Sequence, residues 1–386
     1  MATVSKHRKK ASLFQLIDRK SFNDLVEKWE ADKWVRGLPA WELTCALINV
    51  MVMRLGSYRD VELILGIPRS TFSDALCTKS PGFFEELCAL VLNQIRARTQ
   101  DRKIKKALRQ ILAIDSTEVR VHGSLFSAPG WKQKHTIGNT ASAKLHVVWD
   151  INGEWVDDFL ITPGRRNDSP VSLQLRLRSG KTYVYDRAYN DIDFWLKIID
   201  HGSHFVTRLK DYARNHMLVI KVNVKNKDRD GVLYDGMYQP CTTQSARMKR
   251  EGRDLRLRHI IYRDPETKKI FHFVTSDLKA AAQVIADIYK RRWAVELLFR
   301  WLKGHLNIRQ LASRNKNAAK TQLAAAVLVK LLLQLQKLTN SLSGTLWEIL
   351  RAIRATIARV GLTNSEVPDG CRWKPAMVKS YTAKTL

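Results

Sequence analysis

Between Phe14 and Arg98 the apolar residues recur three and four positions apart, as they do from Trp41 to Leu55, which predicts an all-α N-terminal region. Within it, Tyr58 to Cys77 has the outline of a helix-turn-helix. Gly66 ends a first helix, Ser70 caps a second, and Arg69, Ser70 and Thr71 stand at its exposed start, although any helical hairpin needs such a Gly-Pro turn. From Gln110 the texture changes to strands. Ile111 to Val119 is an apolar run with Asp115 at the end of its apolar part. Lys144–Ile151 and Glu154–Thr162 are joined by Asn152-Gly153, the strongest short hairpin signal. Ser169-Pro170 opens a short helix to about Arg178. A fourth strand from Lys181 ends at Asp186, a helix covers Asp191 to Asp200, and a fifth strand follows from His204.

Residues 210–276 interrupt this with alternating strands, among them Leu218–Val224 and Arg256–Tyr262, and read as a β insertion. A long helix is expected from about Leu278 to Leu306. Two more cover Ala318–Leu338 and Leu346–Val360, and an irregular tail follows Thr363. The fold class is α/β, with a mixed sheet flanked by helical regions. The expected domains are residues 1–100, a core at 101–209, the insertion at 210–276, the rest of the core at 277–340, and a C-terminal part at 341–386.

Charge then narrows the partners. Among 386 residues, 66 Lys and Arg face 37 Asp and Glu, a net +29 that points to a polyanion. The hydrophobic share of 45% excludes a disordered basic tail. Basic clusters lie at Lys6–Lys10, Arg102–Arg109, Arg165-Arg166 and Arg314–Lys316. The five cysteines are scattered without a CxxC pair, against zinc fingers or a disulfide framework. The N-terminus is charged where a signal peptide would be apolar, and the longest apolar run, Leu323–Leu335, is broken by Lys330. The chain therefore reads as cytoplasmic, without a membrane segment.

The candidate chemistry is acidic. Asp115 and Asp186 end apolar strands, and if those strands are neighbours their carboxylates converge into a site for a hard cation. Either residue alone is more often a turn starter. On the long helix, Tyr289, Arg292, Glu296 and Lys303 fall on one face, bordering an apolar stripe of Ile288, Val295, Leu298, Phe299 and Leu302. The plain alternative there is a solvated helix with an Arg292/Glu296 pair. Lys144 and His146 flank the strand site as further candidates for phosphate contact. Ser116 and Thr117 lack a His-Asp partner and are discounted as nucleophiles.

Tyr289, Arg292, Glu296 and Lys303 match the Y-(2)-R-(3)-E-(6)-K signature. With Asp115 in Ala-Ile-Asp-Ser-Thr and Asp186 in Tyr-Asp-Arg-Ala-Tyr, the chain resembles DDE transposases of the insertion-sequence-4 family, in the branch with an α-helical N-terminal domain. The resemblance covers about Phe14 to Lys337. It implies an RNase H-like core in which Asp115, Asp186 and Glu296 are catalytic and hold two Mg²⁺ ions, for which Mn²⁺ would substitute. It implies double-stranded DNA as partner, both inverted-repeat ends and target, and a homodimer in the active complex. Tyr289, Arg292 and Lys303 would hold phosphates of the transposon end. Arg300, Lys144, His146, Arg69, Ser70 and Thr71 are further DNA-binding candidates. Ala188 stands where relatives usually have Gly. No Trp lies between Trp195 and Trp293 to stack a flipped base, which leaves Tyr262, Phe271 or Phe273 for a hairpin route. Cut-and-paste transposition is the leading reading. Its rivals are an RNase H-like nuclease without strand transfer and a non-catalytic repressor derived from a transposase.

Overall fold

The computed structural model describes residues 13–100, 110–132, 140–209, 217–222, 231–240, 243–252 and 255–360. The basic clusters at Lys6–Lys10 and Arg102–Arg109 and the tail after Thr363 lie outside them. The chain folds as two compact units. One is drawn from Met1–Ile104, Glu118–Ala143 and Trp301–Leu386, the other from Lys105–Thr117 and Lys144–Arg300.

The first unit is helical: α1 (Arg19–Lys28), α2 (Ala40–Met53), α3 (Tyr58–Leu65), α4 (Arg69–Thr78) and α5 (Pro81–Gln100) precede the sheet in sequence. Asp18 caps α1 by accepting from the Ser21 N–H at 2.9 Å, and Phe22 packs edge-on against Trp41 and Phe83. Ser57 opens α3 with a reciprocal capping box to Asp60, a signal absent from the sequence reading. Gly66 closes α3 in the left-handed conformation at φ 70°, as expected. The second helix of the pair is not capped by Ser70: α4 starts at Arg69, with Pro68 at the N-cap position two residues before Ser70 and no side-chain cap. Pro68 also fixes its own φ for helix entry, so no hydroxyl is needed there.

Later in the chain come α11 (Lys316–Thr339) and α12 (Leu346–Val360). α11 is long and apolar enough to cross a membrane, yet 94% of that stretch is buried among α5, α2 and α4, so it is the core helix of this unit. Lys330 is buried with it, its ammonium 5.5 Å from the Trp301 ring centre.

The sheet is nine-stranded and mixed, and most of its residues belong to the second unit: β1 (Ile111–Val121), β2 (Ala141–Asp150), β3 (Trp155–Pro163), β4 (Thr182–Tyr185), β5 (His204–Arg208), β6 (Met217–Val222), β7 (Val232–Pro240), β8 (Leu257–Arg263) and β9 (Ile270–Thr275). Their order is β3-β2-β1-β4-β5-β9-β8-β7-β6. β1, β4 and β5 run parallel, and β9 pairs antiparallel with β5. The strands of 210–276 thus extend the core sheet edge to edge; β7 and β9, and the helix α8 (Thr243–Arg250), were not foreseen. Tyr183, Tyr185, Tyr189, Phe194, Trp195 and Phe205 form an aromatic core under β4 and β5, beside α7 (Ile192–Asp200).

Three local expectations change. Asp115 lies in the middle of β1, not at its end, because the strand continues to Val121 beyond its pairing with β4. The β2–β3 connection is the four-residue turn Ile151–Glu154, with Glu154 left-handed at φ 59°. The Asp150 carboxylate closes the turn by accepting from the Asn152 and Gly153 N–H groups at 3.0 and 2.9 Å. Gly153 is needed because the buried Trp155 ring lies where a Cβ would be. The helix expected from Ser169 is the five-residue α6 (Asp168–Ser172), with Asn167 at its N-cap.

The long helix from Leu278 is two helices, α9 (Ala282–Arg291) and α10 (Trp293–His305). Arg292 between them keeps helical angles, but its N–H and that of Val295 bond three residues back, to Tyr289 and Arg292.

Candidate active site

Sheet register sets the first two residues. Ile114 is paired with Tyr185 across the parallel β1–β4 ladder, so the next residue on each strand is an aspartate, Asp115 and Asp186. Both stand where the shared ladder ends, at the carboxyl edge of parallel strands, where α/β sheets place ligand groups. Asp115 accepts from the Ser116 N–H at 2.8 Å. Asp186 caps the short 3-10 turn Arg187–Tyr189, accepting from the Arg187 N–H at 2.5 Å.

Arg292 supplies the link to the helix. Its Nη1 donates to Asp115 Oδ2 at 2.8 Å and its Nη2 to Glu296 Oε1 at 2.7 Å, with side-chain exposures of 14%, 21% and 31% for Arg292, Asp115 and Glu296. One planar fork thus bridges two carboxylates that are 181 positions apart (296 − 115). Burial pushes Asp115 up to about 6; Arg292 and the Ser116 N–H oppose it, while Asp186 and Glu296 push further. The three acids therefore share one electrostatic neighbourhood, held together by a cation from the chain itself.

Tyr289 ends the α9 side of the bridge. Its ring lies 4.9 Å from that of Phe273, and the guanidinium carbon of Arg292 is 5.8 Å from its centre. Burial and then Asp186 raise its pKa, opposed by Arg292 and Arg208.

Behind the carboxylates runs a polar network centred on Asp168, which sequence reasoning missed. Its Oδ1 accepts from Ser116 Oγ at 3.0 Å and Lys144 Nζ at 3.2 Å, and lies 3.5 Å from His146 Nδ1. His146 is fully buried, with Tyr189 Oη 3.1 Å from Nδ1 and Thr162 Oγ1 2.9 Å from Nε2. Burial lowers its pKa to about 4, against the pull of Asp168. His146 and Lys144 are thus committed to the network rather than turned to a ligand. The only sequence signal for Asp168 was its place at the head of a helix carrying Ser169-Pro170.

Other candidates fall elsewhere. Lys303 is on the part of α10 that belongs to the first unit, where burial lowers its pKa against the pull of Glu118. Arg300 is exposed on α10. Arg69 is exposed and paired with Glu62 at 2.7 Å; Ser70 is exposed and Thr71 half-buried beside it. Tyr262 and Phe273 are buried, which removes them as base-stacking surfaces. Phe271 is half-buried, with the Arg208 guanidinium 5.0 Å from its ring centre.

Residues 106–332 match the family described as the transposase DDE domain. The chain belongs to that family. DDE transposases of this kind cut DNA and transfer strands, and this chain is such an enzyme, using a divalent cation as the family does. It is 32% identical over 289 residues to the probable transposase of insertion sequence element IS5377 from Geobacillus stearothermophilus, covering 73% of this chain and 72% of that protein. It is 30% identical over 274 residues to y4zB of Sinorhizobium fredii, a protein named as a transposase, covering 70% of this chain and 72% of that one. A cryo-EM structure of the piggyBac transposase synaptic complex with hairpin DNA matches 93% of this chain and 82% of that chain, with a TM-score of 0.53 and 11% identity. That likeness is one of fold, the RNase H-like transposase core.

The residues present suit the family's cation in chemistry, since three carboxylates offer hard oxygen donors and two of them already share a cationic partner. Among the described residues no three acid, imidazole or thiol groups stand close enough together as arranged to hold a metal ion. The guanidinium of Arg292 takes up the space between Asp115 and Glu296.

Proposed function

We propose that Asp115, Asp186 and Glu296 are the catalytic carboxylates of a cut-and-paste transposase that binds the inverted-repeat ends of an insertion sequence and joins their 3′-hydroxyls to target DNA. The observation that carries this is the Arg292 fork bonded to Asp115 and Glu296 beside Asp186 in register. These three side chains would hold two Mg²⁺ ions, with Mn²⁺ an effective substitute. Bound there, the ions would supply activation of the attacking oxygen and charge stabilisation at the leaving oxygen.

The chain's own residues do the rest. Cleavage forms a bond from water oxygen to phosphorus and breaks the bond from phosphorus to the 3′-oxygen; joining repeats this with the freed 3′-hydroxyl as nucleophile. Arg292, released from the carboxylates, presents its two N–H pairs to a phosphate, and Tyr289 beside it orients the guanidinium. Ser116, hydrogen-bonded to Asp168 and adjacent to Asp115, fixes the strand at the carboxylate. Lys303, Arg300 and the α3–α4 pair with Arg69, Ser70 and Thr71 add DNA contacts. Two ends must be held for joining, so the active complex is a homodimer, working in the cytoplasm.

The test offers the full-length chain a pre-cleaved element end and a supercoiled plasmid with Mg²⁺. Wild type should yield joined product, and EDTA should abolish it. Glu296→Gln should bind the duplex as wild type does yet join it about 10³-fold more slowly, a loss of several kcal/mol of transition-state stabilisation. Joining by Glu296→Gln at the wild-type rate would remove Glu296 from the site.

A further inference from the structure

Two helix ends and the body of a third helix in the first unit carry cations that the carboxylate site does not use. α2 is closed by Arg54, α10 ends at His305, and α12 carries Arg351 and Arg354 one turn apart. Arg354 donates from Nε to the Val52 carbonyl at 2.6 Å and from Nη2 to the His305 carbonyl at 2.7 Å. It thereby caps unpaired carbonyls at two helix ends, which accounts for its position without any ligand. The His305 ring stacks on Trp347, with centroids 4.0 Å apart and planes at 21°. The guanidiniums of Arg354 and Arg351 lie 5.5 and 5.9 Å from the Trp347 ring centre.

What the fold does not account for is Arg54, while Arg351 meets only the Trp347 ring and the charge of Glu348 one turn before it. Both arginines are exposed, and neither forms an ion pair or a side-chain hydrogen bond among the described residues. Arg54 has φ 61°, a left-handed conformation that glycine usually fills at a helix end and that costs an L-residue roughly 1–2 kcal/mol. Glycine would serve α2 better, so the arginine side chain answers a demand outside the folded chain. The surroundings are cationic: the pKa of Arg354 is lowered by burial and by Arg54, and that of His305 by burial and then by Arg354 and Arg54. The acid nearest Arg351 along α12 is Glu348, exposed and held by the N–H of Thr345 at 2.7 Å.

We propose that Arg54 and Arg351, set around the His305–Trp347 stack, form a second DNA contact that grips backbone phosphate. Each guanidinium presents paired N–H donors matched to phosphate oxygens. Strained Arg54 is retained because phosphate binding offsets its backbone cost. The identification of the anion as DNA phosphate rests on the transposase reading. The phosphate belongs to an element end or to target DNA, and the test separates these.

Binding of the full chain is measured by fluorescence anisotropy against salt, with one duplex carrying the element's terminal sequence and one of unrelated sequence. Arg54→Gly combined with Arg351→Gln should lower the slope of log affinity against log salt by about 0.9 for each phosphate no longer gripped, about 1–2 in all. A fall with both duplexes marks a general backbone grip that serves target DNA; a fall with the terminal duplex alone marks recognition of an element end. The double variant should keep a thermal midpoint close to that of wild type, since glycine relieves the left-handed strain at 54 and Arg351 is exposed, so weakened binding cannot be put down to misfolding. If wild type binds DNA and the double variant keeps the wild-type slope on both duplexes, this site is refuted while the transposase reading stands. If wild type binds neither duplex, the transposase reading fails and takes this one with it.

Discussion

Arg292→Gln isolates the bridge between the carboxylates. It removes two charged hydrogen bonds, at 2.8 and 2.7 Å, among side chains 14%, 21% and 31% exposed. Breaking a buried ion pair from one side costs about 3–5 kcal/mol; partial solvent access here reduces that to about 2–3 kcal/mol at neutral pH. Protonation limits the cost further. Asp115 is already pushed up to about 6 by burial, with Arg292 the largest opposing influence, so losing Arg292 raises it again. Its folded pKa lies above the unfolded 3.8, so the stability it contributes is full below about 3.8 and lost as pH rises through about 6. In the variant that loss extends to higher pH. Near pH 5 Asp115 is mostly neutral in both proteins, and the difference should shrink below about 1 kcal/mol. Urea unfolding in EDTA, followed by tryptophan fluorescence at about pH 5 and about pH 7.5, reads this directly. Adding Mg²⁺ at the higher pH should stabilise the variant more than wild type, since the ion no longer displaces a guanidinium. Equal destabilisation at both pH values, or equal Mg²⁺ stabilisation of both proteins, would refute the account of Arg292 as an internal counter-ion.

Two further outcomes concern the β2–β3 turn. Asp150 is fully buried and burial pushes it up to about 6, so its contribution to stability is present below about 3.8 and lost as pH rises through about 6. Asp150→Asn keeps an oxygen for the Asn152 and Gly153 N–H groups and removes the charge. Its stability relative to wild type should climb by up to about 3 kcal/mol between pH 4 and 7, two pKa units at about 1.4 kcal/mol each; a flat difference would contradict this. Gly153→Ala puts a methyl into the Trp155 ring and should cost about 1–3 kcal/mol in denaturant unfolding, whereas a variant of unchanged stability would show that Trp155 moves aside freely.

Much of this was legible in the chain because it depends on local pattern. Helical periodicity marked the N-terminal region and the terminal helices, Gly66 marked the end of α3, and the apolar run before Asp186 marked β4. The spacing of Tyr289, Arg292, Glu296 and Lys303 drew attention to the segment that carries the bridging arginine, since positions three and four apart face the same way. The misplaced details are local ones, in which several neighbouring residues can take a role and residue type alone does not choose among them. The helices start behind Asn167 and Pro68, neither with a side-chain cap, rather than behind Ser169 and Ser70, and the Trp155 ring folds back over Gly153 two residues before it.

The sequence by itself determined most of the element types and the basic surplus, and it singled out the three acids, because these follow from residue chemistry and spacing along one chain. Only the tertiary structure decided that Asp115 and Asp186 are neighbours in register, that Arg292 turns to both Asp115 and Glu296, that Asp168 backs the site, and that β6 to β9 lengthen one sheet. The reason is physical: strand register and guanidinium pairing are set by free energies summed over contacts far apart in sequence, and no local window contains both partners.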